Sequence, residues 1–193
     1  MTQTRTVVTH TRANVALISV FAALIAVSAL IPGFMIGPVP FVMTIVIVLL
    51  APMILGTRDG LLANLLYVVA GAAGLPIFSG GASGFGVLAG PTGGYLVGYV
   101  VAPLVAGPIA TFGLRRGPGG LGGLRGLAGA GLGGLAGIHA VGVAGLMINA
   151  GMGLNAALVT TAGFVGFDLI KVAVAAVLAL AIVRAFPRLL AAR

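Results

Sequence analysis

Apolar residues fill six long runs of the chain, and short stretches rich in glycine, proline or arginine separate one run from the next. The runs cover residues 14–31, 42–55, 60–73, 92–114, 127–147 and 164–185. A helix needs about 20 apolar residues to cross the hydrocarbon core of a bilayer. The pattern therefore predicts an all-α fold, a polytopic membrane protein in which residues 1–193 form a single membrane domain of six transmembrane helices. A signal peptide is the competing interpretation of the first run, but further runs of equal strength follow it.

The composition supports a membrane protein and leaves little material for catalysis. Sixty percent of the residues are hydrophobic and 6% are charged, whereas about a quarter of a soluble domain is charged. The acidic residues are Asp59 and Asp168, the single lysine is Lys171, and there is no cysteine. Disulfides, thiolate metal sites and cysteine nucleophiles are thereby excluded. The Walker A pattern is also missing, so we expect no enzyme, no ATPase site, no metal and no cofactor.

The arginines predict the orientation of the chain in the membrane. They lie near the two ends and in alternate connections, at Arg5, Arg12, Arg58, Arg115, Arg116, Arg125, Arg184, Arg188 and Arg193. With a cytoplasmic N-terminus, all of them fall on the cytoplasmic side, as the positive-inside rule requires. We therefore predict a multi-pass protein of the cytoplasmic membrane with both termini in the cytoplasm. Nucleic-acid binding by the basic, glycine-rich stretch 115–125 is disfavoured because that stretch has no aromatic residue.

The connection over residues 74–91 and the start of the next run have an unusual composition. Residues 74–95 read GLPIFSGGASGFGVLAGPTGGY, which is too apolar for a solvated linker and too rich in glycine and proline for one regular helix. Irregular backbone near a membrane is tolerated where it is buried or lines a cavity. We expect this external segment to cover and partly form a binding pocket, together with the uncharged loops 32–41 and 149–163. The helix start at Gly90–Gly94 is a candidate site for a carboxylate or an oxygen-rich head group.

Asp168 and Lys171 are conspicuous because they lie one helical turn apart inside the sixth apolar run. A charge near the bilayer centre costs about 2.5–3.5 kcal/mol, so such residues are usually paired or functional. Two interpretations stay open. In the first, the two residues form an ion pair that only stabilises the helix bundle. In the second, they bind a ligand as a polar clamp, in which the carboxylate accepts hydrogen bonds from ligand N–H groups and the ammonium donates to a ligand oxygen.

Other polar and small residues in the runs predict helix packing. For His139, Asn64 and Asn149 we expect hydrogen bonds between helices. Ala22 and Ala26 form a small-xxx-small pair that permits close helix contact, either within the bundle or with a partner protein. Pro103 and Pro108 inside the fourth run predict a kink or an early end of that helix.

Two segments together resemble the BioY family, the biotin-capturing S components of energy-coupling-factor (ECF) transporters. GLPIFSGGASGFGVLAGPTGGYLVGY (residues 74–99) is similar to the hallmark loop of that family, and FVGFDLIKVAVAAVLA (residues 164–179) is similar to its sixth span. The resemblance covers essentially the whole chain in length and order of spans. One departure is that Gly166 and Phe167 precede Asp168, where family members often have a proline before a Gly-Asp pair.

The resemblance implies an outward-facing biotin pocket and an assembly with a transmembrane coupling protein and two ATPase subunits. Biotin would be the transported substrate, not a cofactor, and lipid would surround the bundle. Asp168 and Lys171 would contact the ureido ring of biotin. The loop contacts would come from Phe78, Ser79, Gly80, Gly81, Phe85, Gly86, Gly90, Pro91, Thr92, Gly93, Gly94 and Tyr95. Ala22 and Ala26 would dock on the coupling protein.

Alternatives from other classes remain at this point. A transporter of the same architecture for another small vitamin or apolar solute would use the same elements. A structural or assembly membrane protein would use the Asp168–Lys171 pair only to hold its helices together. A membrane-embedded enzyme is the least favoured of the three.

Overall fold

A computed structural model describes residues 3–31, 35–117 and 120–187 of the chain. Its helices are α1 (Gln3–Leu30), α2 (Thr44–Ala72), α3 (Phe85–Leu88), α4 (Gly93–Arg116), α5 (Leu121–Asn149) and α6 (Leu154–Ala185), with a 3₁₀ turn at Ser79–Gly81. The strands β1 (Met35–Ile36) and β2 (Val39–Pro40) form a small antiparallel hairpin, in which Ile36 pairs with Val39. Helices α4, α5 and α6 are each long and apolar enough to cross a membrane, and α2 is so by its total length, although it bends sharply at Gly56. Asn14–Leu30 of α1 is a shorter apolar helix.

α2 is a helical hairpin, not one straight rod. The backbone of Gly56 has φ 83° and ψ −175°, a conformation that is accessible mainly to glycine. A Cβ atom on Gly60 would lie 2.6 Å from the Cα atom of Pro52, and the Asn64 amide reaches the carbonyl of Val48. The two halves of α2 therefore run side by side. With both halves counted, six helical segments form the bundle, and the predicted all-α, multi-pass membrane fold is confirmed.

Three helices begin earlier than the apolar runs predicted, and the first is α1, which begins at Gln3 and not at Asn14. α5 begins at Leu121 and not at Leu127, and α6 begins at Leu154 and not at Phe164. Most of the predicted loop 149–163 is therefore helical, and that prediction was wrong. The polar residues Asn155, Thr160 and Thr161 dilute the hydropathy of this segment, but it contains no proline and its threonine hydroxyls can hydrogen-bond within the protein. A helix can therefore extend beyond the most apolar window.

Of the two alternatives predicted from the prolines of α4, a kink or an early end, the early end does not occur, because α4 continues through Pro103 and Pro108 to Arg116. A proline has no N–H, so the carbonyl four residues before it loses its helical donor. Pro103 leaves the carbonyl of Tyr99 without a donor in this way, and Pro52 does the same to the carbonyl of Val48. The Asn64 Nδ2 atom donates to both carbonyls, at 2.7 Å to Tyr99 and 3.2 Å to Val48. The predicted helix–helix hydrogen bond of Asn64 is thus confirmed, and its physical cause is a pair of prolines.

We expect Asn64→Leu to destabilise the protein strongly, because it leaves two buried carbonyls without donors. Asn64 is fully buried, and each unsatisfied buried group costs about 1–3 kcal/mol. The measurement is the thermal midpoint of the purified protein in detergent. Pro103→Ala restores an N–H to the carbonyl of Tyr99, so Asn64→Leu should lower the midpoint less in that background. Equal losses in the two backgrounds would contradict this explanation.

Glycines bring α4 and α5 into backbone contact, and these two helices share the most extensive interface of the bundle. A Cβ atom on Gly94 would lie 2.6 Å from the Cα atom of Gly145 and 2.6 Å from the carbonyl oxygen of Val141. A Cβ atom on Gly98 would lie 2.9 Å from the Cα atom of Ile138. The high glycine content of α5 is therefore a packing requirement, since side chains at these positions would separate the helices.

Candidate functional site

A cavity lies among the ends of several helices, beneath the glycine-rich segment. It is lined by β2, by α2, α4, α5 and α6, and by residues that follow α2. Six of the residues proposed from the sequence line it: Phe78, Ser79, Thr92, Tyr95, Asp168 and Lys171. The structure thus brings the segments 74–99 and 164–179 to one place, although residues 100–163 separate them along the chain.

Asp168 is the centre of the polar end of the cavity. Its side chain is 1% exposed, and its two carboxylate oxygens bind different partners. Lys171 Nζ lies 2.8 Å from Oδ1, and His139 Nε2 lies 2.9 Å from Oδ2. The Lys171 ammonium also lies 3.7 Å from the centre of the Phe41 ring. These contacts hold the carboxylate in place, and each of its oxygens keeps a lone pair for a further donor.

His139 links α5 to α6 through this contact, so the hydrogen bond between helices predicted for it is confirmed. The residue also lines the cavity, which the sequence did not indicate. A lone histidine in an apolar run gives no sign of its partner, because the partner lies on another helix. The proximity of His139 to Asp168 depends on the packing of α5 against α6, where a Cβ atom on Gly131 would lie 2.7 Å from the Val172 side chain.

Aromatic rings form much of the apolar wall. Phe78 is almost fully buried and packs edge-on against Tyr67, with 5.6 Å between the ring centres. Tyr95 lies between His139 and Phe164, with 6.4 Å between ring centres in each case, and its hydroxyl is 2.8 Å from Thr161 Oγ1. Such edge-to-face and tilted ring packing gives an apolar wall for a flat or compact ligand.

The sequence pattern did not identify several residues that line the cavity, notably Thr44, Tyr67, Tyr99 and Phe164. Tyrosine and phenylalanine are common near membrane interfaces, so their occurrence in apolar runs did not distinguish them. One available signal was that Tyr99 follows the proposed Tyr95 by four residues. This spacing places both on the same face of a helix.

The glycine-rich segment divides into residues that face the cavity and residues that shape the loop. Ser79 and Thr92 line the cavity, whereas Phe85 is 73% exposed and points away from the protein. Gly80 and Gly81 have positive φ values of 69° and 78°, which explains why glycine is required in this turn. Gly86 also lies in open space, outside the residues that line the cavity.

The rest of the segment packs against the bundle. A Cβ atom on Gly93 would clash with the carbonyl of Leu88, and Gly94 packs against α5. The N–H of Gly93 donates to the carbonyl of Gly90, so this group at the start of α4 is already occupied. Gly90 and Pro91 precede that helix without lining the cavity. Asn149 fixes this region, since its Nδ2 atom donates to the carbonyls of Leu88 and Gly90 at 2.9 and 3.0 Å.

The small-residue pair of α1 lies mainly on the inner side of that helix. Ala22 is 7% exposed and belongs to the buried core, and Ala26 is half-buried. Ala16, Ser19 and Ala23 are instead exposed on α1. In this conformation, a partner helix that approaches α1 would meet those three residues before Ala22.

Comparisons with known proteins agree with this architecture. A sequence model of the BioY family matches residues 1–188. The biotin transporter BioY of Rhodobacter capsulatus is 40% identical over 190 residues, covering 93% of this chain and 98% of that protein. The biotin transporter BioY of Rhizobium etli is 35% identical over 179 residues, covering 91% and 96%. The match to a probable biotin transporter BioY of Pyrococcus horikoshii is 40% identical and spans about half of each chain, 49% of this one and 57% of that one.

A solved structure has the same fold. It is the crystal structure of the S component for biotin from an ECF-type ABC transporter, with a TM-score of 0.81, 23% sequence identity and coverage of 95% of both chains. At this identity, the likeness shows the fold. It agrees with the bundle of helical segments described above.

Proposed function

The chain belongs to the BioY family, and we propose on this premise that it captures biotin and takes it up across the cytoplasmic membrane. It would act as the substrate-binding subunit of an ECF-type transporter. The observation that carries the proposal is a buried carboxylate, Asp168, at the polar end of an aromatic-lined cavity.

The chemistry of biotin matches this cavity. Its bicyclic head has two N–H donors and one carbonyl on a cyclic urea, and its thiophane ring and valerate chain are largely apolar. Asp168 would accept a hydrogen bond from a ring N–H, while Lys171 holds the carboxylate and keeps a further donor for the ligand. Phe78, Tyr95 and Phe164 would pack on the apolar part. Biotin would be cargo in this site, and no cofactor would be needed.

Energy for uptake would come from other subunits. The sequence has no Walker A motif, so we propose that a transmembrane coupling protein and two ATPase subunits supply ATP hydrolysis. If the arginines lie on the cytoplasmic side, as the positive-inside rule predicts, the N- and C-termini would be cytoplasmic and the cavity would open outward. The chain would itself be no enzyme.

Uptake of labelled biotin by cells that cannot synthesise it tests this function. Cells that express the chain with the coupling protein and ATPases should accumulate biotin, and an excess of unlabelled biotin should suppress the signal. The double variant Asp168→Asn/Lys171→Met, which removes both charges of the buried pair, serves as a binding-deficient comparison at equal membrane abundance. Biotin accumulation by wild-type cells no greater than by empty-vector cells would contradict the proposal.

A further inference from the structure

Three hydroxyl groups in the cavity have no role in the contacts described so far. Thr44, Tyr67 and Tyr99 all line the cavity, and all three side chains are at least nine-tenths buried. The Thr44 Oγ1 atom has no hydrogen-bond partner. Among the described residues, neither tyrosine hydroxyl forms a hydrogen bond, whereas the Tyr95 hydroxyl binds Thr161. Buried polar groups without partners are uncommon, and each calls for an explanation.

The three hydroxyls lie on the wall formed by α2 and α4. In the α2 hairpin, Pro52 lies beside Gly60 and Val48 lies beside Asn64. Continuing this antiparallel register by one turn places Thr44 opposite Val68, which is the residue next to Tyr67. Tyr99 is held to the same hairpin, because its carbonyl accepts the Asn64 hydrogen bond at 2.7 Å.

The wall lies at the same depth as Asp168. Gly98 of α4 packs on Ile138 of α5, and the residues that follow them are Tyr99 and His139. His139 in turn binds Asp168. Tyr67, Tyr99 and Asp168 all line the same cavity. The cavity therefore presents an anionic acceptor on one side and neutral hydroxyl donors on another.

We propose that Thr44, Tyr67 and Tyr99 form a second polar subsite, which donates hydrogen bonds to the carbonyl oxygen of the ligand's cyclic urea. This inference rests on the proposed biotin function. In a cyclic urea, the carbonyl lies between the two N–H groups on one polar edge. A ligand that donates an N–H to Asp168 therefore places its carbonyl oxygen within a few ångströms of that carboxylate, where hydroxyl donors are favourable and a second carboxylate would not be.

Asn64 is the positioning residue of this subsite. It makes no contact with the cavity, but its amide joins both halves of α2 to α4 at the carbonyls that Pro52 and Pro103 leave without donors. Tyr67 lies one turn after Asn64 on the same helix, and Tyr99 carries one of the carbonyls that Asn64 binds. The relative positions of the two tyrosines therefore depend on Asn64.

Hydroxyl-deletion variants test the subsite with little change of shape. Thr44→Val, Tyr67→Phe and Tyr99→Phe each remove one hydroxyl group, and biotin binding to each purified protein is measured by equilibrium titration in detergent. We expect the Kd to rise about three- to tenfold for each variant, as for loss of one hydrogen bond. Thr111→Val is the matched control, because the Thr111 hydroxyl binds the Gly107 carbonyl of its own helix at 2.9 Å, and its Kd should not change.

A second ligand identifies the atom that the hydroxyls bind. Biotinamide keeps the cyclic urea but replaces the carboxylate with a neutral amide, so the fold-change caused by each variant should be the same for biotin and biotinamide. A fold-change that appears with biotin and vanishes with biotinamide would assign the hydroxyls to the carboxylate and overturn the proposal.

The remaining outcomes separate this inference from the function on which it rests. Tight wild-type binding with an unchanged Kd in the folded variants would overturn the subsite alone. No saturable biotin binding to folded wild-type protein would overturn the biotin function, and the subsite would be rejected with it.

Discussion

Asp168→Asn is expected to abolish high-affinity biotin binding, with a loss of at least about 100-fold, because a charged acceptor of ligand N–H groups becomes a neutral amide. The same substitution leaves the Lys171 ammonium, which is 3% exposed, without its carboxylate partner. Removing one member of a buried ion pair costs about 3–5 kcal/mol. Lower stability should therefore accompany the loss of binding, and the measurement is a biotin titration beside the thermal midpoint of each protein in detergent.

The double variant Asp168→Asn/Lys171→Met separates the two effects. It removes both charges, so it should recover much of the stability that the single variant loses. It should not recover biotin binding, because the carboxylate is still missing. A double variant that is stable and binds biotin like the wild type would show that the ion pair only stabilises the helix bundle. That structural role is the alternative that the sequence leaves open.

Gly94→Val is expected to have the second large effect, a loss of about 3 kcal/mol or more in folding stability. A Cβ atom at this position would meet the backbone of Gly145 and the carbonyl of Val141, each at 2.6 Å. Overpacking commonly costs about 1–3 kcal/mol, and here the neighbours are backbone atoms that cannot move aside by a change of rotamer. The measure is the fraction of monodisperse protein after detergent extraction, together with its thermal midpoint.

Gly166→Val is the matched control, since a Cβ atom at Gly166 in α6 would meet nothing within 4 Å. The control should fold almost as well as the wild type. Equal losses in the two variants would contradict the close α4–α5 contact and point instead to a general effect of replacing helical glycines.

The sequence predicts those residues of the site that stand out from their immediate neighbours along the chain. Charges inside an apolar run are costly in a membrane, so Asp168 and Lys171 are conspicuous without any structure. A glycine-dense, uncharged connection likewise predicts a shaped loop, and Ser79 and Thr92 within it do line the cavity. The division of that loop between cavity-lining residues and residues that pack on α5, such as Gly94, depends on the path of the backbone.

Other parts of the site depend on contacts between distant segments. His139 meets Asp168 because α5 packs against α6. Asn64 meets the two carbonyls that prolines leave without donors because α2 folds back at Gly56 and packs against α4. No local pattern predicts such partners. The fold class follows from the hydropathy of the sequence. The start of α6 at Leu154 does not, because polar residues lower the hydropathy of the first turns of that helix.

Equilibrium titration of the purified, detergent-solubilised wild-type protein with biotin is the most direct test of the proposed capture function. The account predicts saturable binding, and an excess of a vitamin of similar size that lacks a cyclic urea should not compete. Folded, monodisperse protein without saturable biotin binding, or with equal displacement by such a vitamin, would contradict the account.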